Sequence, residues 1–184
     1  MRKTKFDLIP FNPNKDSSPN IAISGSIALD HHKIAIKCLL SGEYEKVKLT
    51  PTSPNPQRTD KLWERTCFEL FVSGTDRPDY WEYNLSPSRD WAVFSFTDYR
   101  QNKTDELSID NIAINTHLED GESVCLNALL PLPEALIAQK LQIGVSAVIQ
   151  DNNDVIYYYA LTHPATQADF HDKNSFIITF EQKQ

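Results

Sequence analysis

The feature of this chain that most limits its fold is a two-residue hydrophobic period, repeated from segment to segment and broken by loops. Ile34, Ile36, Cys38 and Leu40 alternate with Ala35, Lys37 and Leu39, and Val47 and Leu49 alternate with Lys46 and Lys48. Val124, Leu126, Ala128 and Leu130 make one face of a further segment; Leu141, Ile143, Val145, Ala147 and Ile149 make one face of another. Val155 to Leu161 and Ser175 to Phe180 are β-branched and aromatic. Side chains alternate faces along a strand, so each segment is a half-buried strand. A helical pattern is confined to Pro133–Lys140, where Pro133 suits a first turn. About ten short strands and one short helix predict an all-β fold, a two-sheet antiparallel β-sandwich. A parallel α/β fold would need crossover helices, and their pattern is missing.

The length, 184 residues, suits one domain. Residues 1–20 are expected to be an N-terminal extended segment and loop, and residues 21–184 the sandwich. Breaker-rich loops are predicted at Asn12–Asn20, Pro51–Arg58 and His163–Lys173. The chain carries 18 Lys+Arg against 25 Asp+Glu, a net charge of −7, with no basic run. That balance argues against nucleic acid and against an acidic membrane surface as partners. No apolar run approaches the ~20 residues that cross a bilayer. The start, MRKTKFDLIP, lacks the apolar stretch of a secretory signal. Cys38, Cys67 and Cys125 are far apart and form no C-x-x-C. A cytoplasmic protein with three reduced thiols is the expectation.

Arg65 to Phe96 holds the most informative pattern. Strands are predicted over Arg65–Ser73, Tyr80–Ser86 and Trp91–Phe96. Pairing Phe68, Leu70 and Val72 with Trp81, Tyr83 and Leu85 makes one continuous apolar face. A one-residue slip would set Glu82 and Asn84 against Phe68 and Leu70, at about 1–3 kcal/mol per unpaired polar group. The opposite face then carries Cys67, Glu69 and Phe71 beside Glu82, Asn84 and Ser86. For the third strand the simplest assignment gives Ala92, Phe94 and Phe96 to the core and sets Trp91, Val93 and Ser95 beside Glu69 and Asn84.

This second face offers carboxylates, a carboxamide and a tryptophan within cross-strand reach. Aromatic planes cover the C–H faces of sugar rings, while carboxylates and amides bond hydroxyls. The face therefore fits a small polar, saccharide-like ligand. Alternatively it packs on the other sheet or on a covering loop, with Glu69 satisfied by a buried arginine.

Three blocks, LWERTCFELFV (Leu62 to Val72), YWEYNLSPSRDW (Tyr80 to Trp91) and ALTHPATQADFHDKNSF (Ala160 to Phe176), resemble DOMON-like domains related to family 9 carbohydrate-binding modules. That pattern has an acidic E-x-F strand, a Y-x-E-x-N/E-x-x-P strand, and a late H/W-x-P, F-H and F-G/S-x-L/I-x-F ending. The likeness runs from about Ile21 to the end of the chain. It implies a β-sandwich with a concave face and a ligand site at its rim, used for carbohydrate in some relatives and haem in others. Carried over, Trp63 and Glu69 fall on site-forming positions, and Arg89 follows the turn at Pro87. Near position 163, where such a module carries a second tryptophan, this chain has Leu161, Thr162 and His163.

The expected site is Trp63, Glu69, Asn84, Arg89 and Trp91 on one surface, with His163 reaching it from the late loop. Arg89 is the expected cation for Glu69. The expected function is non-catalytic binding of a small, carbohydrate-like ligand, with no cofactor. A haem or redox module and a protein-interaction sandwich are the alternatives. The one methionine is Met1, so His/Met haem ligation from within the fold is not available. Glu69 and Glu82 would suit a glycosidase if held ~5 Å or ~6.5–9.5 Å apart. His163, Asp169 and His171 would suit zinc, against a competing role in bonding the loop's own backbone. No Ser-His-Asp context, phosphate-cradling glycine loop or nucleotide fingerprint is present.

Overall fold

A computed structural model describes residues 3–12, 18–30 and 32–182; residues 13–17 of the expected Asn12–Asn20 loop lie outside the described residues. The strands are β1 (Lys3–Pro10), β2 (Ile21–Asp30), β3 (Lys33–Gly42), β4 (Cys67–Gly74), β5 (Tyr80–Leu85), β6 (Trp91–Phe96), β7 (Thr104–Asp105), β8 (Ala113–Glu119), β9 (Ser123–Pro131), β10 (Leu141–Gln150), β11 (Ile156–Ala160) and β12 (Ile178–Phe180). They form one sheet in the order β7-β6-β5-β4-β10-β11-β1-β2-β3-β9-β8, with β12 on β10.

The architecture is all-β, as expected, but the two separate sheets of about ten strands are not what forms. Twelve strands make one continuous sheet, curled into a half-barrel. The seam is β1. Its residues Lys3–Leu8 pair with β2, and Ile9 and Pro10 continue onto Ala160 and Tyr159 of β11. A twisted sheet of this width curls rather than staying open. Curling brings Ile23, Ile27, Ile34 and Leu40 of one half into a single buried cluster with Phe68, Leu70, Tyr83 and Leu85 of the other.

β4 and β5 pair in the register that burial demanded: Phe68 with Leu85, Leu70 with Tyr83, Val72 with Trp81. β6 takes the opposite face from the one expected. Leu85 pairs with Trp91 and Tyr83 with Val93, so Trp91 and Val93 enter the main core. Ala92, Phe94 and Phe96 lie on the other face, in a second cluster with Phe71, Tyr80 and Phe176. The cause is the β5–β6 turn. Ser86 N–H donates to Asp90 O at 3.0 Å and Arg89 N–H to Ser86 O at 2.9 Å, with Arg89 left-handed at φ 76°. A turn closed by a left-handed residue sets hairpin parity, and one residue of parity exchanges the faces of β6.

The expected helix at Pro133–Lys140 is a 3₁₀ turn over Glu134–Leu136. Ile137 is extended and Ala138 is left-handed at φ 60°, which ends it. Gln182 replaces the missing helical ladder: its amide donates to Leu136 O at 2.6 Å and Gln139 O at 3.0 Å.

Candidate functional site

Every residue of β4 and β5 is buried, so this part of the sheet is covered on both faces. The core covers one. Over the other lie the 3₁₀ turn Leu62–Glu64, residues 99–103 and the late segment 168–176. The late segment is fixed at three points. Phe176 lies on β10 at Gly144, where a Cβ would stand 2.7 Å from the Phe176 ring. Lys173 Nζ donates to Ser73 Oγ at 2.8 Å and Arg77 O at 2.6 Å. Tyr80 Oη lies 2.7 Å from His171 Nδ1.

Between this cover and the sheet is a cleft of about 450 Å³. Its aromatic members are Trp63, Phe96, Tyr158 and Phe170; its polar members are Glu69, Glu82, Arg100, Lys103 and His171. A second cleft of about 390 Å³ adjoins it, sharing Tyr158 and Ala168.

The floor is a buried polar network on neighbouring strands. Glu69 of β4 faces Asn84 of β5 and Ser146 of β10 across the ladders. Ser146 Oγ donates to Glu69 Oε2 at 3.2 Å, and Asn84 Nδ2 to Glu82 Oε1 at 2.7 Å. Burial raises the proton affinity of both carboxyls, and the Glu82 charge pushes Glu69 further, well above the usual carboxyl range. Ser146 and Arg100 oppose the shift at Glu69; Asn84, Lys103 and Arg100 oppose it at Glu82. Both carboxyls thus hold a proton more readily than an exposed carboxyl does.

His171 completes the floor. Its ring meets the edges or faces of Phe71, Tyr80 and Phe96 at centroid distances of 5.1, 5.8 and 5.2 Å. Burial, then the Arg100 charge, lowers its pKa to about 4 against the pull of Asp169, so the ring is neutral at pH 7. Tyr80 Oη accepts from Arg100 N–H at 3.1 Å. It also shares a hydrogen bond with His171 Nδ1, while His171 Nε2 lies 3.7 Å from Glu82 Oε2.

Two cations border the cleft. Arg100 pairs with Asp169 at 2.9 Å. Lys103 Nζ lies 3.9 Å from the Trp63 ring centroid and 3.7 Å from that of Phe94, with Asp60 at 3.9 Å. Those rings hold it as cation–π partners.

Of the six residues expected from the sequence, Trp63 and Glu69 line the cleft, and Asn84 stands behind it holding Glu82. The other three lie elsewhere. Trp91 is 2% exposed on the core face, under the Arg58 guanidinium at 4.5 Å. Arg89 occupies the β5–β6 turn, where its Nε has no partner among the described residues; the cation acting on Glu69 is Arg100. His163 Nε2 lies 2.9 Å from Ile9 O, at the β1 seam. His163 bonds Ile9 O away from the other two, while Asp169 holds Tyr99, Arg100 and, at 3.1 Å, the His171 backbone N–H, and the His171 ring bonds Tyr80, so the loop's own backbone takes the carboxylate. Sequence reasoning placed Tyr80, Phe96, Arg100 and Lys103 nowhere in the site. Tyr80 stands two residues before Glu82 and so shares its face, a signal present in the pattern. Arg100 and Lys103 lie in a loop with no period to place them.

The sequence matches no protein-family profile and no curated protein. Solved structures that share the fold include the two that follow. A candidate carbohydrate-binding protein from Bacteroides uniformis ATCC 8492 superposes with a TM-score of 0.66 at 12% identity, over 95% of this chain and 84% of that one. A family 9 carbohydrate-binding module from Caldicellulosiruptor kristjanssonii, in complex with glucose, gives a TM-score of 0.53 at 12% identity, over 91% of this chain and 79% of that one.

Proposed function

We propose that the cleft binds a small polyhydroxylated ligand, a saccharide, without catalysing a reaction on it. The observation that carries this reading is the meeting of aromatic walls and a buried carboxyl pair in one cleft. Rings such as Trp63 and Tyr158 suit the C–H faces of a pyranose, and the carboxyls suit its hydroxyls. The fold is shared with a module seen in complex with glucose. The three sequence blocks that resemble DOMON-like domains contribute Trp63 and Glu69, Glu82, and Phe170 and His171, which supports kinship with those domains.

For the haem alternative, the cleft offers His171, whose nitrogens already face Tyr80 and Glu82. Free, buried Cys38, Cys67 and Cys125 support a reducing, cytoplasmic setting.

Calorimetric titration of the intact chain with glucose, cellotriose and a panel of other neutral sugars tests the reading. We expect saturable binding to at least one sugar, weakened at least tenfold by Trp63→Ala and by Glu82→Gln. No heat with any sugar, or undiminished binding by both variants, overturns it.

A further inference from the structure

We propose that the outer face of the β8–β9 hairpin binds a thiophilic divalent cation such as Zn²⁺, with His117, Glu119 and Cys125 as ligands. This site is independent of the cleft. On β9, Val124, Leu126, Ala128 and Leu130 belong to the core, so Cys125 points to the outer face. A cysteine there ought to meet water, yet Cys125 is 0% exposed. Its neighbours close over it. Cys125 stands directly opposite His117 of β8 and Leu39 of β3, and Glu119 follows two residues after His117 on the same face. Asn127 Nδ2 donates to Sγ at 3.3 Å.

The ligand atoms of the three side chains lie within 4.8 Å of one another. Zn²⁺ holds sulfur at about 2.3 Å and nitrogen or oxygen at about 2.0–2.2 Å, so closing the set takes a shift of about 1 Å. His117 is exposed and can supply that movement. Water would take the fourth position. Lys37 Nζ lies 2.8 Å from Glu119 Oε1 and 2.7 Å from Oε2, so one cation now spans both oxygens. A metal would take Oε2 in its place, with Lys37 turning toward Oε1 as the outer partner that orients the carboxylate. On binding, the Cys125 S–H bond breaks, its proton leaves to solvent, and the sulfur pair is donated to the cation; nothing is oxidised or reduced. A thiolate among the ligands selects zinc or cobalt over magnesium or calcium.

The test is Co²⁺ titration of the intact, metal-free, reduced chain, followed by Zn²⁺. We expect one equivalent of Co²⁺ to give a thiolate-to-cobalt charge-transfer band with tetrahedral visible bands, all bleached by Zn²⁺. Cys125→Ser should abolish the charge-transfer band, while Cys38→Ser keeps it. His117→Gln, at an exposed position, should weaken Co²⁺ binding at least tenfold and leave the metal-free melting temperature unchanged. The proposal is overturned by the absence of a thiolate band, by a band that survives Cys125→Ser, or by wild-type affinity in His117→Gln. The last outcome decides the matter even if Cys125→Ser fails to fold.

Discussion

Acid should destabilise this fold through His171 by an amount the site itself sets. The ring is packed among Phe71, Tyr80 and Phe96, and Arg100 and Lys103 act on it against Asp169. Its pKa falls from 6.5 to about 4. A basic group with a depressed pKa is protonated first in the unfolded chain. Its contribution to stability is therefore complete above about pH 6.5 and is lost as pH falls toward 4. At about 1.4 kcal/mol per pH unit, the loss is about 2 kcal/mol at pH 5 and about 3 kcal/mol at pH 4. Glu69 and Glu82 act with the opposite sign: their raised pKa values stabilise the fold at low pH, and that stability is lost as pH rises through the folded values. The wild-type curve alone therefore mixes the two effects.

His171→Gln removes the titration and keeps a polar group near Tyr80. Urea unfolding of both proteins at several values between pH 7 and pH 4.5 gives the difference that isolates the ring. The wild type should lose about 2–3 kcal/mol relative to the variant over that range. A difference flat to within about 0.5 kcal/mol would refute the reasoning, because it would mean that the ring binds its proton as readily folded as unfolded.

Glu69→Gln removes a carboxyl that burial and Glu82 drive toward the protonated form. Its melting temperature should rise relative to wild type as pH increases from 5 to 8, and a relative fall over that range would count against the buried pair. Gly144→Ala places a Cβ 2.7 Å from the Phe176 ring; urea unfolding should show a cost of about 1–3 kcal/mol, and an unchanged midpoint would mean that Phe176 does not lie on β10. Phe68, 1% exposed between the sheet halves, should cost about 3–5 kcal/mol on change to alanine, again read by urea unfolding. Cys38, Cys67 and Cys125 are free and buried, so a thiol reagent should label all three only after unfolding; rapid labelling of the metal-free native chain, or fewer than three after unfolding, contradicts this.

The parts of the fold legible in the sequence were those where polarity discriminates between faces. Glu82 and Asn84 cannot be exchanged with Tyr83 and Leu85 without burying unpaired polar groups in the main core, so the β4–β5 register was determined. WAVFSF in β6 has only Ser95, half-buried near the strand's end, and it sits on the side with Trp91 and Val93. Trp91 and Val93 on one side and Ala92, Phe94 and Phe96 on the other are both apolar, so hydrophobicity is silent and the turn decides. That turn uses Arg89 at φ 76°, where a glycine would have announced the left-handed residue. Continuity of the sheet was hidden for a different reason. β1 changes partners between Leu8 and Ile9, and nothing in the alternation of a single strand records which neighbours it pairs with.

The same reasoning explains why the cleft lies where it does. Strands covered on both faces ordinarily read as unbroken apolar runs. β4 and β5 are buried throughout, yet Glu69, Glu82 and Asn84 interrupt them on one face. Each would cost free energy there without a partner, and the partners found only partly satisfy them. Ser146 bonds Glu69 Oε2 and Asn84 bonds Glu82 Oε1. Among the described residues no hydrogen bond reaches Glu69 Oε1 or Glu82 Oε2, and both residues border the cleft. A face that served only packing would be filled more stably by leucine or phenylalanine, as Phe71, Phe94 and Phe96 fill the rest of it. Carboxyls kept beside the cleft, near aromatic side chains and a neutral histidine, are what the proposed binding of hydroxyl groups from outside the chain would explain.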